Sequence, residues 1–115
     1  MTSKFHSLTG NPCQVDVFGE ADALPAEARL AVLRTAREAL TNVRKHSPGA
    51  SVTLTFHRRD SWCELEVVDS GGTPSSVTGN GYGLVGMRER AELIGGNLDT
   101  DRTDGGFRVR LQVPA

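Results

Sequence analysis

The feature that most constrains the fold is a helical pattern in residues 34–47, RTAREALTNVRKHS. Apolar side chains recur there at steps of three and four, the spacing that places them on one face of an α-helix: Leu33, Ala36, Leu40 and Val43. A polar row follows the same steps: Arg34, Glu38, Asn42 and Lys45, with His46 beside it. At about 100° per residue, this polar row is predicted to lie almost opposite the apolar stripe. We therefore predict an amphipathic helix whose apolar face, Leu33 included, covers a core.

The polar row carries three kinds of chemistry one helical turn apart. Glu38 is able to accept a proton, Asn42 offers an amide oxygen to a hard cation, and Lys45 is suited to meet a phosphate. An ordinary solvent-facing side of an amphipathic helix explains the same row equally well. The row alone therefore leaves both interpretations open.

Composition bounds the class of protein. A chain of 115 residues with 37% hydrophobic and 23% charged residues is expected to form one globular domain. A net charge of -1 gives no basic field for nucleic acid, and the chain has no apolar run long enough to span a membrane. Cys13 and Cys63 lie without metal-ligand spacing, and the start of the chain lacks a signal-peptide pattern. We expect two reduced thiols in a cytoplasmic domain, with a disulfide left open.

Strand patterns surround the helix. Residues 1–12 are expected to form a loose N-terminal segment, and 13–18 alternate like an edge strand that ends at Gly19. Residues 51–57 and 62–69 alternate on either side of a polar turn and predict a hairpin, as do 97–100 and 107–113. The long helix is expected to start after Asp22, at Leu24-Pro25, and to stop before Pro48-Gly49.

A second helix is predicted from residues 82–84 to the stop at Gly95-Gly96, with Leu84, Met87, Ala91 and Ile94 facing inward. Arg88 and Glu92 face outward at a spacing that permits an ion pair.

Glycines cluster in three segments: 71–72, 79–83 and 105–106. Gly79, Gly81 and Gly83 open directly into the second helix, where free amide hydrogens and the positive helix end suit phosphate oxygens. A tight turn would explain any one segment equally well. A Rossmann dinucleotide site is disfavoured, because these glycines follow a long loop (70–80, rich in Gly, Ser, Thr and Pro) rather than the first strand of a βαβ unit. We expect residues 72–80 of this loop to act as a lid.

Taken together and in this order, the segments resemble the ATP-binding catalytic domain of sensor histidine kinases, of the family shared with gyrase, heat-shock chaperone and mismatch-repair ATPases. The segment 38–46, EALTNVRKH, resembles the kinase N box, Asp69-Ser-Gly71 the adenine motif, and Gly81-Tyr82-Gly83-Leu84 the glycine-rich lid hinge. The run GLVGMRER at 83–90, followed by Gly95-Gly96, is most similar to the nitrate-sensor type. For residues 13–115, this resemblance implies a two-layer α/β (α+β) sandwich, the Bergerat fold, with helices on one face of a mixed, mostly antiparallel sheet.

The resemblance also implies roles for individual residues. Asn42 would hold Mg²⁺ on the phosphates of ATP, Glu38 would act as a base or polariser for the phosphoryl acceptor, and Lys45 with His46 would contact phosphate. Asp69 would accept the adenine amino group and Gly71 would admit the ring edge, while the hinge Gly81, Tyr82, Gly83 and Leu84 would border the nucleotide. The chain departs from the family at Thr73, where a second glycine is common, and at Gly105-Gly106-Phe107, which lacks the threonine of many members.

A kinase of this class transfers phosphate to a histidine on a separate dimerisation domain, and then to a response regulator. We therefore expect this chain to be a catalytic domain that does not label itself, within a homodimeric parent kinase with or without a membrane anchor. Two alternatives stay open at this point. One is a stand-alone serine kinase of the anti-sigma-factor type, and the other is a nucleotide-binding regulatory module without turnover.

Overall fold

The structure, a computed structural model, describes residues 2–5, 13–19, 24–46, 50–59, 61–70, 82–103 and 106–115, with the backbone alone for 2–5, 46, 82–84 and 103. The elements are β1 (Thr2–Phe5), β2 (Cys13–Phe18), α1 (Ala26–His46), β3 (Val52–Arg58), β4 (Trp62–Asp69), α2 (Tyr82–Leu93), β5 (Asn97–Thr103) and β6 (Gly106–Pro114). In this part of the chain the strands form one sheet in the order β1-β2-β3-β4-β6-β5. Only the β2–β3 pair is parallel within it.

Both helices cover the same face of this sheet. α1 packs on β3, β4 and β6, α2 packs on β5 and β6, and the two helices contact each other. The predicted fold class, a mixed and mostly antiparallel sheet with helices on one face, is confirmed. The two predicted hairpins are confirmed as well, β3–β4 and β5–β6, although β6 lies between β4 and β5.

The core centres on β4, which alternates strictly between buried and partly exposed residues. Leu65 is 1% exposed and lies between Phe56 of β3 and Leu111 of β6 in the register. Glu66, the next residue of β4, points to the opposite face of the sheet. Its Oε2 lies 3.9 Å from Arg108 Nη1 and 3.7 Å from Arg110 Nη2. Since these charged groups are partly exposed, the sheet is stabilised mainly by the apolar layer under the helices.

The N-terminal region differs from its sequence-based prediction. β1, within the segment predicted to be loose, pairs antiparallel with β2. β2 is therefore an interior strand, and the prediction that it forms an edge is wrong. Four residues are too short a run for a period-two pattern to be recognised in the sequence.

The buried face of α1 is rotated from the predicted one: Val43 is buried and Ala36 and Leu40 pack against the core as predicted, but Leu33 does not. The most buried side chains of this helix are Ala28, Thr35, Ala39 and Val43. Leu33 is 59% exposed, so its assignment to the core is wrong. Small side chains let the helix approach the sheet closely, and at about 100° per residue Leu33 lies roughly 120° from the centre of this stripe. The polar row is consequently not opposite the core. Asn42 and Glu38 border it and are half-buried, whereas Arg34 and Lys45 are exposed.

The end of α2 is fixed by the two glycines predicted to stop it. Gly96 N–H donates to the Ala91 carbonyl at 2.7 Å and Gly95 N–H donates to the Glu92 carbonyl at 3.1 Å, the Schellman arrangement. Gly95 has a φ of 87°, in the left-handed region that favours glycine. A Cβ on Gly96 would lie 2.7 Å from Val113 Cγ1, so the backbone here presses directly on β6.

The two cysteines are free thiols, as predicted. Cys13 pairs with Val52 at the beginning of β3, whereas Cys63 pairs with Arg58 at its end. Burial raises the pKa of both thiols, and the positive charge of Arg58 partly opposes this rise at Cys63. Both cysteines therefore stay protonated at neutral pH.

Two glycine substitutions in and after α2 test this description of the helix. Gly86→Ala should stabilise the fold by about 0.5–1 kcal/mol, because a Cβ there meets nothing within 4 Å and alanine favours the helix. Gly95→Ala should destabilise the fold by about 1–2 kcal/mol, because its left-handed φ strains alanine. Urea unfolding of both variants measures the difference. Equal midpoints for the two would contradict the assigned end of α2.

Candidate functional site

Those sequence-predicted site residues that the structure describes lie toward one end of the sheet, which we call the Asp69 end. β4 finishes there with Asp69, which lies opposite Val52, the first residue of β3, and opposite Phe107, the second residue of β6. The beginning of β2 lies at the same end, since Cys13 pairs with Val52. Three strands, β2, β3 and β6, therefore begin near Asp69, where β4 ends.

Asp69 is a buried carboxylate, 5% exposed, at the boundary between the core and this end of the sheet. The backbone of Gly106 lies directly against it. A Cβ on Gly106 would meet the Asp69 main-chain carbonyl oxygen and would lie 2.6 Å from Asp69 Oδ1. Only glycine fits at this contact. Gly106, from the third glycine segment of the sequence, therefore packs against the residue predicted to bind adenine.

Ser70, which follows β4, is hydrogen-bonded to Ser51, which precedes β3. The sequence analysis did not identify this pair. Ser70 N–H donates to the Ser51 carbonyl at 2.8 Å, and Ser51 N–H donates to Ser70 Oγ at 3.1 Å. The two bonds extend the β3–β4 pairing by one residue beyond Asp69, which holds the end of β4 in place. Serine at a strand end is the available sequence signal, because its hydroxyl often bonds nearby backbone.

α1 brings the C-terminal part of its polar row toward the same end. A connection of five residues, 47–51, joins the last turn of α1 to β3, which begins opposite Asp69. Such a connection spans at most about 18 Å, so the last turns of α1 lie at the Asp69 end. Asn42 and Glu38 are half-buried on the border of the core, one turn apart on the same side of the helix. Lys45 is exposed in the last turn, where a cation also complements the helix dipole.

α2 points its first turn toward this end. Three residues separate its last turn from β5, which begins at the opposite end of the sheet with Asn97 paired to Gln112. Because α2 packs on β5 and β6, its 12 residues lead back about 18 Å toward the Asp69 end. The first turn contains Tyr82, Gly83 and Leu84 of the predicted hinge. Gly71, Gly81, Thr73 and the predicted lid, 72–80, lie outside the described residues, as does the side chain of His46.

A cavity of about 610 Å³ lies at the other end of the sheet and contains none of the predicted site residues. Its walls include His57, Trp62, Glu64 and Gln112. Glu64 and Gln112 are hydrogen-bonded to each other at 2.8 Å, and His57 stacks on Phe18 with ring centroids 4.7 Å apart. Its polar groups are thus partly satisfied within the protein, so we place the candidate site at the Asp69 end.

Comparison with known proteins identifies the family. Residues 27–115 match the model of the histidine kinase-, DNA gyrase B- and HSP90-like ATPases. The chain belongs to this ATPase family. The match begins one residue after the start of α1 and ends with the chain, so it includes every predicted site residue.

Individual relatives agree with this assignment. The chain is 37% identical over 93 residues to the signal transduction histidine-protein kinase/phosphatase UhpB of Salmonella typhimurium, covering 80% of this chain and 18% of UhpB. It is 33% identical over 105 residues to the nitrate/nitrite sensor protein NarX of Escherichia coli, covering 90% of this chain and 18% of NarX. The chain spans about a fifth of the length of these two curated relatives. The resemblance to the nitrate-sensor type of histidine kinase is confirmed.

The fold also matches a solved structure. The catalytic domain of the histidine kinase ThkA superimposes with a TM-score of 0.70 at 15% identity, and the match covers 92% of this chain and 79% of that catalytic-domain chain.

None of the described helices is both long and apolar enough to cross a membrane.

The residues at the Asp69 end fit the groups that this ATPase family implies. The buried carboxylate of Asp69 supplies a hydrogen-bond acceptor of the kind that the amino group of adenine requires. Mg²⁺ is usually held by one or two protein oxygens together with substrate phosphates, and the half-buried amide of Asn42 is able to supply one.

Gly106→Ala tests the contact on which this site depends. The added Cβ must displace Asp69 or β6, and overpacking of this kind costs about 1–3 kcal/mol. We expect a lower urea midpoint and a changed amide chemical shift at Asp69. Gly86→Ala adds the same methyl group where nothing lies within 4 Å and is the matched control. An alanine variant at 106 with parental stability and an unchanged Asp69 signal would contradict the close packing.

Proposed function

We propose that this chain is the ATP-binding catalytic domain of a sensor histidine kinase, which holds Mg-ATP at the Asp69 end of its sheet for phosphoryl transfer to a histidine on a separate domain. The observation that carries the proposal is the packing of Gly106 on the buried Asp69, at the end of the sheet to which α1 brings Asn42 and Glu38. Family membership and the names of the relatives, UhpB and NarX, support it.

In this proposal Asp69 reads the adenine ring. A carboxylate only accepts hydrogen bonds when ionised, so it favours a base with an exocyclic amino group over one with a carbonyl at that position. Gly106 keeps the carboxylate fixed from one side, and the Ser51–Ser70 pair keeps the end of β4 fixed from the other. Binding then requires little rearrangement at the adenine end.

Asp69→Asn should weaken nucleotide binding about tenfold to hundredfold, because it removes a charge-assisted hydrogen bond of roughly 1.5–3 kcal/mol. Titration with a fluorescent ATP analogue measures the loss, and circular dichroism checks that the fold is retained. Asp99→Asn, on the exposed side of β5, is the matched control and should bind like the parent. Parental affinity in the Asp69 variant would remove the adenine assignment.

The polar row of α1 is proposed to hold and act on the phosphates. Asn42 would hold Mg²⁺ through its amide oxygen, and Lys45 with His46 would contact phosphate from the last turn of the helix. A divalent ion at this position neutralises charge on the phosphate oxygens. Asn42→Ala should therefore reduce the dependence of ATP binding on Mg²⁺ while leaving the metal-independent affinity near that of the parent.

Glu38 is proposed to act on the phosphoryl acceptor. It lies one turn before Asn42 on the same side of α1, so a histidine that approaches the phosphates would meet its carboxylate. There the carboxylate would take or polarise the proton on the second nitrogen of the acceptor imidazole. General base groups of this kind contribute about 10²–10⁴-fold to a rate.

Glu38→Gln should retain ATP binding but lose most phosphoryl transfer to the parent kinase's histidine domain, supplied in trans. Glu27→Gln changes an exposed carboxylate in the first turn of the same helix and should transfer like the parent. Transfer is followed with radiolabelled ATP. If the Glu38 variant transfers at the parental rate, Glu38 is an ordinary surface residue of α1.

The remaining proposals concern the parent protein. Its partners would be the histidine-bearing dimerisation domain and a response regulator, in a homodimeric kinase whose catalytic domain faces the cytoplasm. The chain alone is expected to remain unlabelled in the presence of Mg-ATP.

A further inference from the structure

Arg88 makes a contact that neither the fold prediction nor the proposed function uses. Its side chain leaves α2 and its Nε donates a hydrogen bond to the main-chain carbonyl of Leu98 on β5, with an N–O distance of 3.1 Å. The sequence suggested instead that Arg88 pairs with Glu92. The side chain of Arg90, two residues later, is exposed and has no hydrogen bond or ion pair to any other described residue. Of these two arginines, Arg88 is the one that is bonded to the sheet.

The acceptor of this bond is well fixed. Leu98 is 2% exposed, and it pairs with Leu111 of β6, itself 1% exposed. A charged donor on a main-chain oxygen is stronger than a neutral one. The Arg88 side chain therefore ties α2 to a rigid part of the sheet, although much of the arginine is exposed.

Because of its position along α2, the Arg88 contact holds the part of the helix that lies nearer to its beginning. The last turn of the helix is held by Gly95 and Gly96. Arg88 lies six residues, or about 9 Å, after Tyr82, where the helix begins. Among the described residues, its bond is the polar contact between α2 and the sheet that lies nearest to this beginning. Among the described side chains of the first half of α2, Met87 is the one that packs against the hydrophobic core.

We propose that Arg88 is a positioning residue that keeps the glycine-rich start of α2 in register with Asp69. The positions of both halves of the candidate site depend on the same strand, β6. Asp69 contacts Gly106 of β6 directly, and α2 reaches β6 through Arg88, Leu98 and the β5–β6 pairing. The inference rests on the proposed function, because it assigns the start of α2 to the phosphates and Asp69 to adenine.

This arrangement predicts that the two ends of the nucleotide respond differently to loss of the contact. Arg88→Met keeps a chain of similar length but has no donor. We expect the Kd for Mg-ATP to rise about threefold to thirtyfold, less than the roughly tenfold to hundredfold loss from removing a charge-assisted bond made directly to the nucleotide, because Arg88 acts only through the position of α2. The Kd for adenosine should stay within about twofold of the parent, because Asp69 is fixed by β4 and β6.

Arg88→Gln separates positioning from direct contact with phosphate. The glutamine amide nitrogen stands at the same place along the side chain as Arg88 Nε, so it is able to donate to the Leu98 carbonyl without a positive charge. Positioning therefore predicts near-parental ATP binding for Arg88→Gln. Direct contact with phosphate would require the charge and predicts the same loss as in Arg88→Met. Arg90→Met, on the same helix, should bind like the parent.

The experiment measures Mg-ATP and adenosine affinities calorimetrically for the parent and the three variants, together with amide hydrogen exchange over residues 86–89 without nucleotide. We expect faster exchange and weaker ATP binding in Arg88→Met alone. Parental exchange and affinity in Arg88→Met, equal losses for ATP and adenosine, or a loss in Arg88→Gln as large as in Arg88→Met would each overturn the inference. A parent that binds no Mg-ATP would instead contradict the proposed function, and the exchange rates would still decide whether Arg88 holds α2.

Discussion

The contact between the Gly106 backbone and the buried Asp69 carboxylate is the constraint around which the candidate site is arranged. No side chain fits between them, so β6 is fixed against the end of β4 as closely as backbone geometry permits. β6 in turn carries β5 on its other side, and α2 rests on both strands. A displacement of β6 would therefore move the proposed adenine end and the glycine-rich start of α2 together.

Small buried residues also bring α1 close to the sheet. Ala28, Thr35 and Ala39 are each at most 2% exposed, so α1 lies near the sheet along much of its length. With this face against the sheet, Asn42 and Glu38 lie half-buried at the border of the core. Side chains on such a border are held by packing and yet remain reachable from outside, which suits the binding and proton-transfer roles proposed for them.

The sequence is informative where the signal is local and less so where it depends on distant segments. The bounds of β4 follow from strict alternation, and those of α1 and α2 from proline and glycine at their ends. Leu33 was misassigned because a leucine looks more like a core residue than Ala39 does, while the depth of burial was decided by how closely the helix could approach the sheet. The pairing of β4 with β6 joins residues far apart in the chain and leaves no periodic trace, and β1 is too short to show a period.

The candidate site divides in the same way. Asp69 and Asn42 were identifiable through their motifs, and the topology brings both to one end of the sheet. Contacts that involve the main chain were not identifiable from the sequence, because they depend on backbone positions that residue types alone do not specify. They are the Ser51–Ser70 pair, the fit of Gly106 on Asp69, and the bond from Arg88 to the Leu98 carbonyl. The resemblance to histidine kinases identified the chemistry, whereas the structure supplies the contacts that could support it.

The most direct test of the central claim is a titration of the ¹⁵N-labelled chain with Mg-ATP, followed by amide chemical shifts. We expect saturable changes at the Asp69 end, at Asn42, Asp69 and Gly106, and none at Trp62 or Asn97 at the other end of the sheet. The absence of saturable changes, or changes centred on the cavity lined by His57 and Trp62, would contradict the claim that this chain binds ATP beside Asp69.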